Sequence, residues 1–164
     1  MTDPNGVTSE DRPGRVADGG VDGGTDDRAK VIAELARYDA GTDLAKTMGI
    51  EYVEATAERV VARMPVKGNT QPYGLLHGGA SCVLAESIGS VGSAIHAGPG
   101  RIAVGIEINA THHRSATDGH VTGVATRAHG GRTLATYDIV ITDDQDRRVC
   151  TARLTCMLRD APDA

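Results

Sequence analysis

The sequence contains no tryptophan and no phenylalanine, and only four tyrosines in 164 residues. A platform of aromatic rings for stacking nucleic-acid bases is therefore excluded, and the core must be built from Val, Ile, Leu, Ala and Met. Three cysteines, Cys82, Cys150 and Cys156, are too few and wrongly spaced for a disulfide framework or a zinc site. They read as reduced, buried thiols acting as small hydrophobes. No apolar run is long enough to span a membrane, and the N-terminus lacks the hydrophobic segment of a secretory signal. The cytoplasm is the expected compartment. No basic stripe marks a duplex-binding surface, so neither nucleic acid nor membrane is an expected partner. The six histidines show no ligand spacing, and H-E-x-x-H, C-x-x-C and Walker sequences are missing; no metal and no cofactor is expected. Gly89-Ser90-Val91-Gly92 is not a dinucleotide fingerprint, because it falls within a helical stretch and follows no strand.

What is present divides the chain in two. Residues 1–28 carry seven acids against three bases, which is −4 of the total charge of −5. With six glycines and two prolines there, this segment buries too little apolar surface to offset the entropy of ordering. It is expected to be a disordered acidic tail, and residues 29–160 to form one domain. Thr25, Asp26 and Asp27 offer cap oxygens for a helix ending near Tyr38. A second short helix is expected from Thr42 to Gly49, then strands at about 50–57 and 58–66. Leu84, Ile88, Val91 and Ile95 form an apolar stripe on a long helix over 77–96. Its small residues, Gly78, Gly79, Ala80, Gly89 and Gly92, allow a sheet to approach closely. Four strand-like segments follow. Ile102, Val104, Ile106 and Ile108 alternate with smaller or polar residues; then come 120–128, 132–142 with Ala135, Tyr137, Ile139 and Ile141 on one face, and 147–158. Asp118-Gly119, Gly130-Gly131 and Asp143–Asp146 supply the turns. Short turns between alternating runs imply hairpins. The expected fold is α+β: a long central helix against a mostly antiparallel sheet of five or six strands.

One charge dominates the functional reading. Between Lys67 and Arg101, Glu86 is the only side chain ionised at neutral pH apart from histidine. A solvated helix face normally carries several charges, and this helix carries one. An isolated carboxylate in an apolar, small-residue setting suits general-base or nucleophilic work; the competing reading is an exposed residue of an amphipathic helix. Ser90 lies one turn further on the same face and either holds the carboxylate or a water, or bonds back to its own helix. The run Gln71-Pro72-Tyr73-Gly74-Leu75-Leu76-His77-Gly78-Gly79 leads into the helix start, where free N–H groups and a partial positive charge suit an oxyanion. Gln71 and His77 add polar contacts there, although His77 would equally serve as an N-terminal cap and the glycines as packing devices. His77 and Glu86 are nine residues apart, about 13–14 Å along a helix, and point to nearly opposite sides. If both act on one carbonyl, the second comes from a neighbouring chain, which implies an active site shared across a two-fold dimer. His112-His113-Arg114 and Arg132, beside turns, suit phosphate contacts, with a merely solvated basic tip as the alternative.

The segments Gln71–Ser81, Leu84-Ala85-Glu86-Ser87-Ile88-Gly89-Ser90 and Ile106-Glu107-Ile108-Asn109-Ala110, with His112, Arg114 and Ser115, resemble hotdog-fold thioesterases of the 4-hydroxybenzoyl-CoA and phenylacetate-pathway group. Within it the likeness is to 1,4-dihydroxy-2-naphthoyl-CoA thioesterases and to the proofreading thioesterase of enterobactin synthesis. It spans about residues 44–158. The resemblance implies Glu86 as catalytic carboxylate, Gly78 as oxyanion donor, Gln71 at the thioester carbonyl, His77 positioning the thioester or its leaving thiolate, and Ser90 orienting water. His112, Arg114, Gly131 and Arg132 would contact CoA. It also implies a homodimer or a dimer of dimers with shared sites. The long acidic tail and His113 depart from the pattern. The expected activity is hydrolysis of an acyl-CoA with an aromatic or bulky acyl group, akin to 1,4-dihydroxy-2-naphthoyl-CoA. The rivals are a non-catalytic acyl-CoA-binding or sensing module, a hydratase of the same fold, and a structural oligomer without a ligand.

Overall fold

The computed structural model describes residues 43–162. The expected acidic tail and the helix ending near Tyr38 lie outside them. The elements in chain order are α1 (Asp43–Met48), β1 (Glu51–Ala55), β2 (Arg59–Pro65), α2 (Gly78–Ala97), β3 (Arg101–His112), β4 (His120–Gly130), β5 (Leu134–Asp143) and β6 (Arg148–Asp160). The short helix α1 stops where the backbone requires glycine. Gly49 takes φ 68°, Gly49 N–H donates to Lys46 O at 3.1 Å, and Ile50 N–H donates to Ala45 O at 2.9 Å. This is a left-handed cap that satisfies two end carbonyls and turns the chain into β1.

All six strands form one antiparallel sheet in the order β1-β2-β4-β5-β6-β3. The helix α2 interrupts this meander: the chain leaves β2, runs through α2 and re-enters the sheet at its far edge as β3. Along its length α2 packs against β2 through β6. Leu84, Ile88 and Val91 of the expected stripe are buried; Ile95 is half-buried. The glycines act as expected at two contacts. A Cβ on Gly89 would lie 2.6 Å from Leu154 Cδ2, and one on Gly92 would lie 2.7 Å from the Tyr137 ring. Helix and sheet thus approach more closely than alanine would allow.

Three expectations need correcting. The core is not wholly aliphatic: Tyr137 is its largest fully buried side chain, with its hydroxyl donating to Ala57 O. Burial raises its pKa, because the phenolate would be desolvated. Cys150 and Cys156 are buried, but Cys82 is only half-buried. The alternation along β3 does not give one buried face. A bulge between Gly105 and Glu107 shifts the register against β6, so Ile108 and Ala110 pack on the core while Val104 and Ile106 stand 37% and 55% exposed. An inserted residue reverses the side-chain alternation, which a strict two-residue period cannot anticipate. The outcome is a twelve-residue edge strand with an apolar outer side.

Candidate active site

The segment between β2 and α2 is held by its own hydrogen bonds. Asn69 Nδ2 donates to Met48 O and Pro65 O at 2.8 and 2.9 Å. Gly74 N–H donates to Gln71 O at 2.9 Å, closing a turn with Gly74 at φ 76°. Gln71 N–H donates to Leu75 O, Leu76 N–H to Ala116 O and His77 N–H to Asn69 O, all within 2.9 Å. The Gln71 amide is oriented as well. Its Oε1 accepts from Tyr73 N–H at 2.8 Å, and its Nε2 protons have no acceptor among the described residues. The peptide thus presents Gln71 as a donor beside the helix start.

His77 is the N-cap of α2, and its Nδ1 accepts from Gly79 N–H at 2.8 Å. The capping reading of His77 is therefore realised. It also fixes the tautomer: a neutral ring accepting at Nδ1 carries its proton on Nε2, a donor facing outward. Ala80 N–H and Ser81 N–H donate to His77 O at 2.9 and 3.3 Å. Of the first-turn donors, only Gly78 N–H has no acceptor among the described residues. A Cβ on Gly78 would lie 2.9 Å from His112 Nε2, so the missing side chain lets the imidazole stand against the helix start.

A cleft of about 360 Å³ opens here, lined by Gln71, Leu75, Gly78, Ser81, His112 and Arg114 among others. Its floor is buried (Leu76, Ser81 and Val149) and its rim is exposed (His112, His113, Arg114 and Ser115). His113 Nε2 is within 3.0 Å of Thr151 Oγ1. Arg114 forms no ion pair with a described residue. The cleft is rich in unmet donors and poor in acceptors, so it suits carbonyl and phosphate oxygens.

The remaining site residues lie elsewhere. Glu86 is half-buried, further along α2. Its Oε1 rests over Gly105 of β3, where any Cβ would collide with it. The Oγ of Ser90, expected to hold the carboxylate, a water or its own helix, lies 3.9 Å from Cys156 Sγ. Burial, the largest influence, raises the Cys156 thiol, and Glu86 adds in the same sense. The Gly131-Arg132 turn is tied to this end of the molecule. His96 Nε2 is 3.1 Å from Gly131 O, and Arg101 donates to Arg132 O at 2.8 Å. Arg127 can only donate, and it contacts His96 Nδ1 at 3.1 Å; the proton of a neutral His96 is thus on Nε2, donating to Gly131 O. From Gly105 to His112 is seven residues of strand, roughly 24 Å. One chain therefore separates the predicted residues into two groups. Gln71, Gly78, His112 and Arg114 line the cleft, with His77 capping the helix next to Gly78; Glu86, Ser90, Gly131 and Arg132 lie toward the other end.

Two further residues were not singled out by sequence. Gly105 makes room for the carboxylate, and an isolated glycine inside an alternating strand was its signal. Ser81 is 1% exposed and faces the cleft wall; a serine among small helix residues carries no comparable signal.

A single long helix against six antiparallel strands, with a donor-lined cleft at the helix start, defines a hotdog thioester hydrolase. The chain belongs to the thioesterase superfamily, whose family model matches residues 73–150. It is 46% identical to the proofreading thioesterase EntH of Cronobacter turicensis over 129 residues, 78% of this chain and 93% of the relative. Among solved structures, a thioesterase of Haemophilus influenzae superposes with TM-score 0.72 at 34% identity, covering 77% of this chain and 90% of the other. A mutant thioesterase of Pseudomonas aeruginosa gives 0.73 at 36% identity, covering 84% and 97%. No helix among the described residues is long and apolar enough to cross a membrane.

Proposed function

We propose that the protein hydrolyses an acyl-CoA thioester with an aromatic or bulky acyl group, akin to 1,4-dihydroxy-2-naphthoyl-CoA, in a cytoplasmic homodimer or dimer of dimers. The observation that carries this is the unpartnered N–H of Gly78, beside the free amide donors of Gln71, at the mouth of a cleft with a basic rim. A thioester carbonyl placed there gains donors that strengthen as negative charge develops on its oxygen. His77 Nε2–H is available to the thioester or the leaving thiolate, and His112 and Arg114 to the CoA phosphates. Glu86 attacks the carbonyl carbon or deprotonates the water that does; water completes the reaction to free acid and CoA thiol. Ser90 orients that water.

The separation of the two groups within one chain supports a shared site. Antiparallel pairing of β3 with its copy about a two-fold axis near Ile108 and Asn109 would set Gly105 opposite His112 of the partner subunit and satisfy the open edge. It would also bring Glu86, Gly131 and Arg132 of one subunit toward Gln71, Gly78, His112 and Arg114 of its partner. The reading is tested by co-expressing Glu86→Ala and Gln71→Ala chains. Each variant alone is expected to be nearly inactive. Random mixing makes half the dimers hybrid, each with one intact site, so about one quarter of wild-type activity should return. No return would refute the shared site. Full thiol release by Glu86→Ala, across aromatic and aliphatic CoA esters, would refute the carboxylate's role. CoA-ester binding without release by the wild type would mark a binding module instead.

A further inference from the structure

The cleft lining contains one buried polar side chain, and the proposed chemistry leaves it unused. Ser81 is 1% exposed, and its Oγ has no hydrogen-bond partner among the described residues. It does not bond back to its own helix, although a carbonyl stands four residues before it. It lies three residues after Gly78, hence on the same face of α2 and about 4.5 Å further along the axis. A buried hydroxyl without a partner is unfavourable, and its place at the cleft wall offers a ligand as the missing partner.

The chemistry of the cleft indicates which part of a ligand. The exposed rim holds His112, His113 and Arg114, whose charge and donors suit phosphates. The floor, with Leu76 and Val149 beside Ser81, is buried and otherwise apolar. An acyl-CoA that places its phosphates at the rim directs its acyl group toward this floor. We propose that Ser81 is a specificity-determining residue, its hydroxyl bonding an oxygen or nitrogen substituent of the acyl group. This rests on the acyl-CoA reading given above. An acyl group without such a substituent would leave the hydroxyl unpaired, and sites with buried polar groups discriminate strongly against ligands that cannot meet them.

The test uses stable CoA analogues in which a methylene joins the carbonyl to sulfur. One carries a plain aromatic ring, the others a single hydroxyl at each ring position. Calorimetry on the wild-type protein should show one hydroxylated analogue binding about tenfold or more tightly than the plain one. Ser81→Ala should erase that preference while leaving the plain analogue's affinity unchanged. Its melting temperature without ligand should equal or exceed wild type, because it loses a hydroxyl that bonds nothing. Equal affinities for all analogues in the wild type would overturn the proposal. So would a preference that survives in Ser81→Ala, or a lowered melting temperature with the preference intact, which would assign the hydroxyl to the fold or to a subunit contact. Matching thioesters separate the two readings: selective binding without hydrolysis refutes the enzyme and keeps Ser81, whereas hydrolysis without selectivity refutes only Ser81.

Discussion

Gly105→Ala changes one hydrogen to a methyl group and is expected to disable the enzyme without unfolding it. The new Cβ collides with Glu86 Oε1. Restoring a nonbonded separation of roughly 3.5 Å requires the carboxylate to move by about 1 Å. In the role proposed for Glu86, misplacement on that scale costs about 10²-fold in rate, or roughly 2.7 kcal/mol of transition-state stabilisation. Stability should move the other way if it moves at all. Glycine inside a strand costs roughly 0.5–1 kcal/mol relative to alanine, and position 105 is on an edge strand at a bulge, where the sheet has room to give. The assay is release of CoA thiol at saturating substrate, paired with thermal melting by circular dichroism. A double variant sharpens it: adding Gly105→Ala to Glu86→Ala should cost almost nothing further, because both act through one carboxylate. Wild-type kcat in Gly105→Ala would refute the argument, and so would a further large loss on the Glu86→Ala background.

Gly92→Ala should destabilise by roughly 1–2 kcal/mol: overpacking against the buried Tyr137 ring costs more than the gain in helix propensity, and the melting temperature reports it. Asp143 gives an acid-side test. Burial pushes its carboxyl up, but hydrogen bonds from the Arg147 side chain and from the backbones of Arg147 and Gln145 outweigh this and hold it below the ordinary 3.8. A depressed carboxyl contributes stability above its unfolded pKa and loses it as pH falls through the folded value. Asp143→Asn should therefore melt lower than wild type at pH 7, with the gap closing below pH 3.8; a gap that does not depend on pH would refute the linkage. Burial raises the Cys150 thiol to about 11 and leaves both Cys150 and Cys156 inaccessible. These two should resist thiol reagents in the native protein and react on unfolding, as a time-resolved thiol titration with mass-spectrometric assignment would show.

Local pattern was sufficient for most of the architecture. The 3.6-residue spacing of Leu84, Ile88 and Val91, the period-two run Ala135-Tyr137-Ile139-Ile141 and the glycine and aspartate turns each encode an element within a few residues of itself, so the helix and the strands were legible. The lone Glu86 and the glycine-rich approach to α2 were legible for the same reason, since both are anomalies of composition along one stretch. The sequence by itself also determined that His77 and Glu86 are too far apart along one helix to meet, because helical rise is invariant. What only the tertiary structure decided depends on pairings between distant segments. The β3 bulge arises from its register against β6, and it is what exposes Val104 and Ile106. The place of Gly105 beneath Glu86, the attachment of Ser90 to Cys156, and the isolation of the Ser81 hydroxyl each join residues far apart in the chain or depend on what surrounds them. No local period carries that information; it emerges when helix and sheet close on one another.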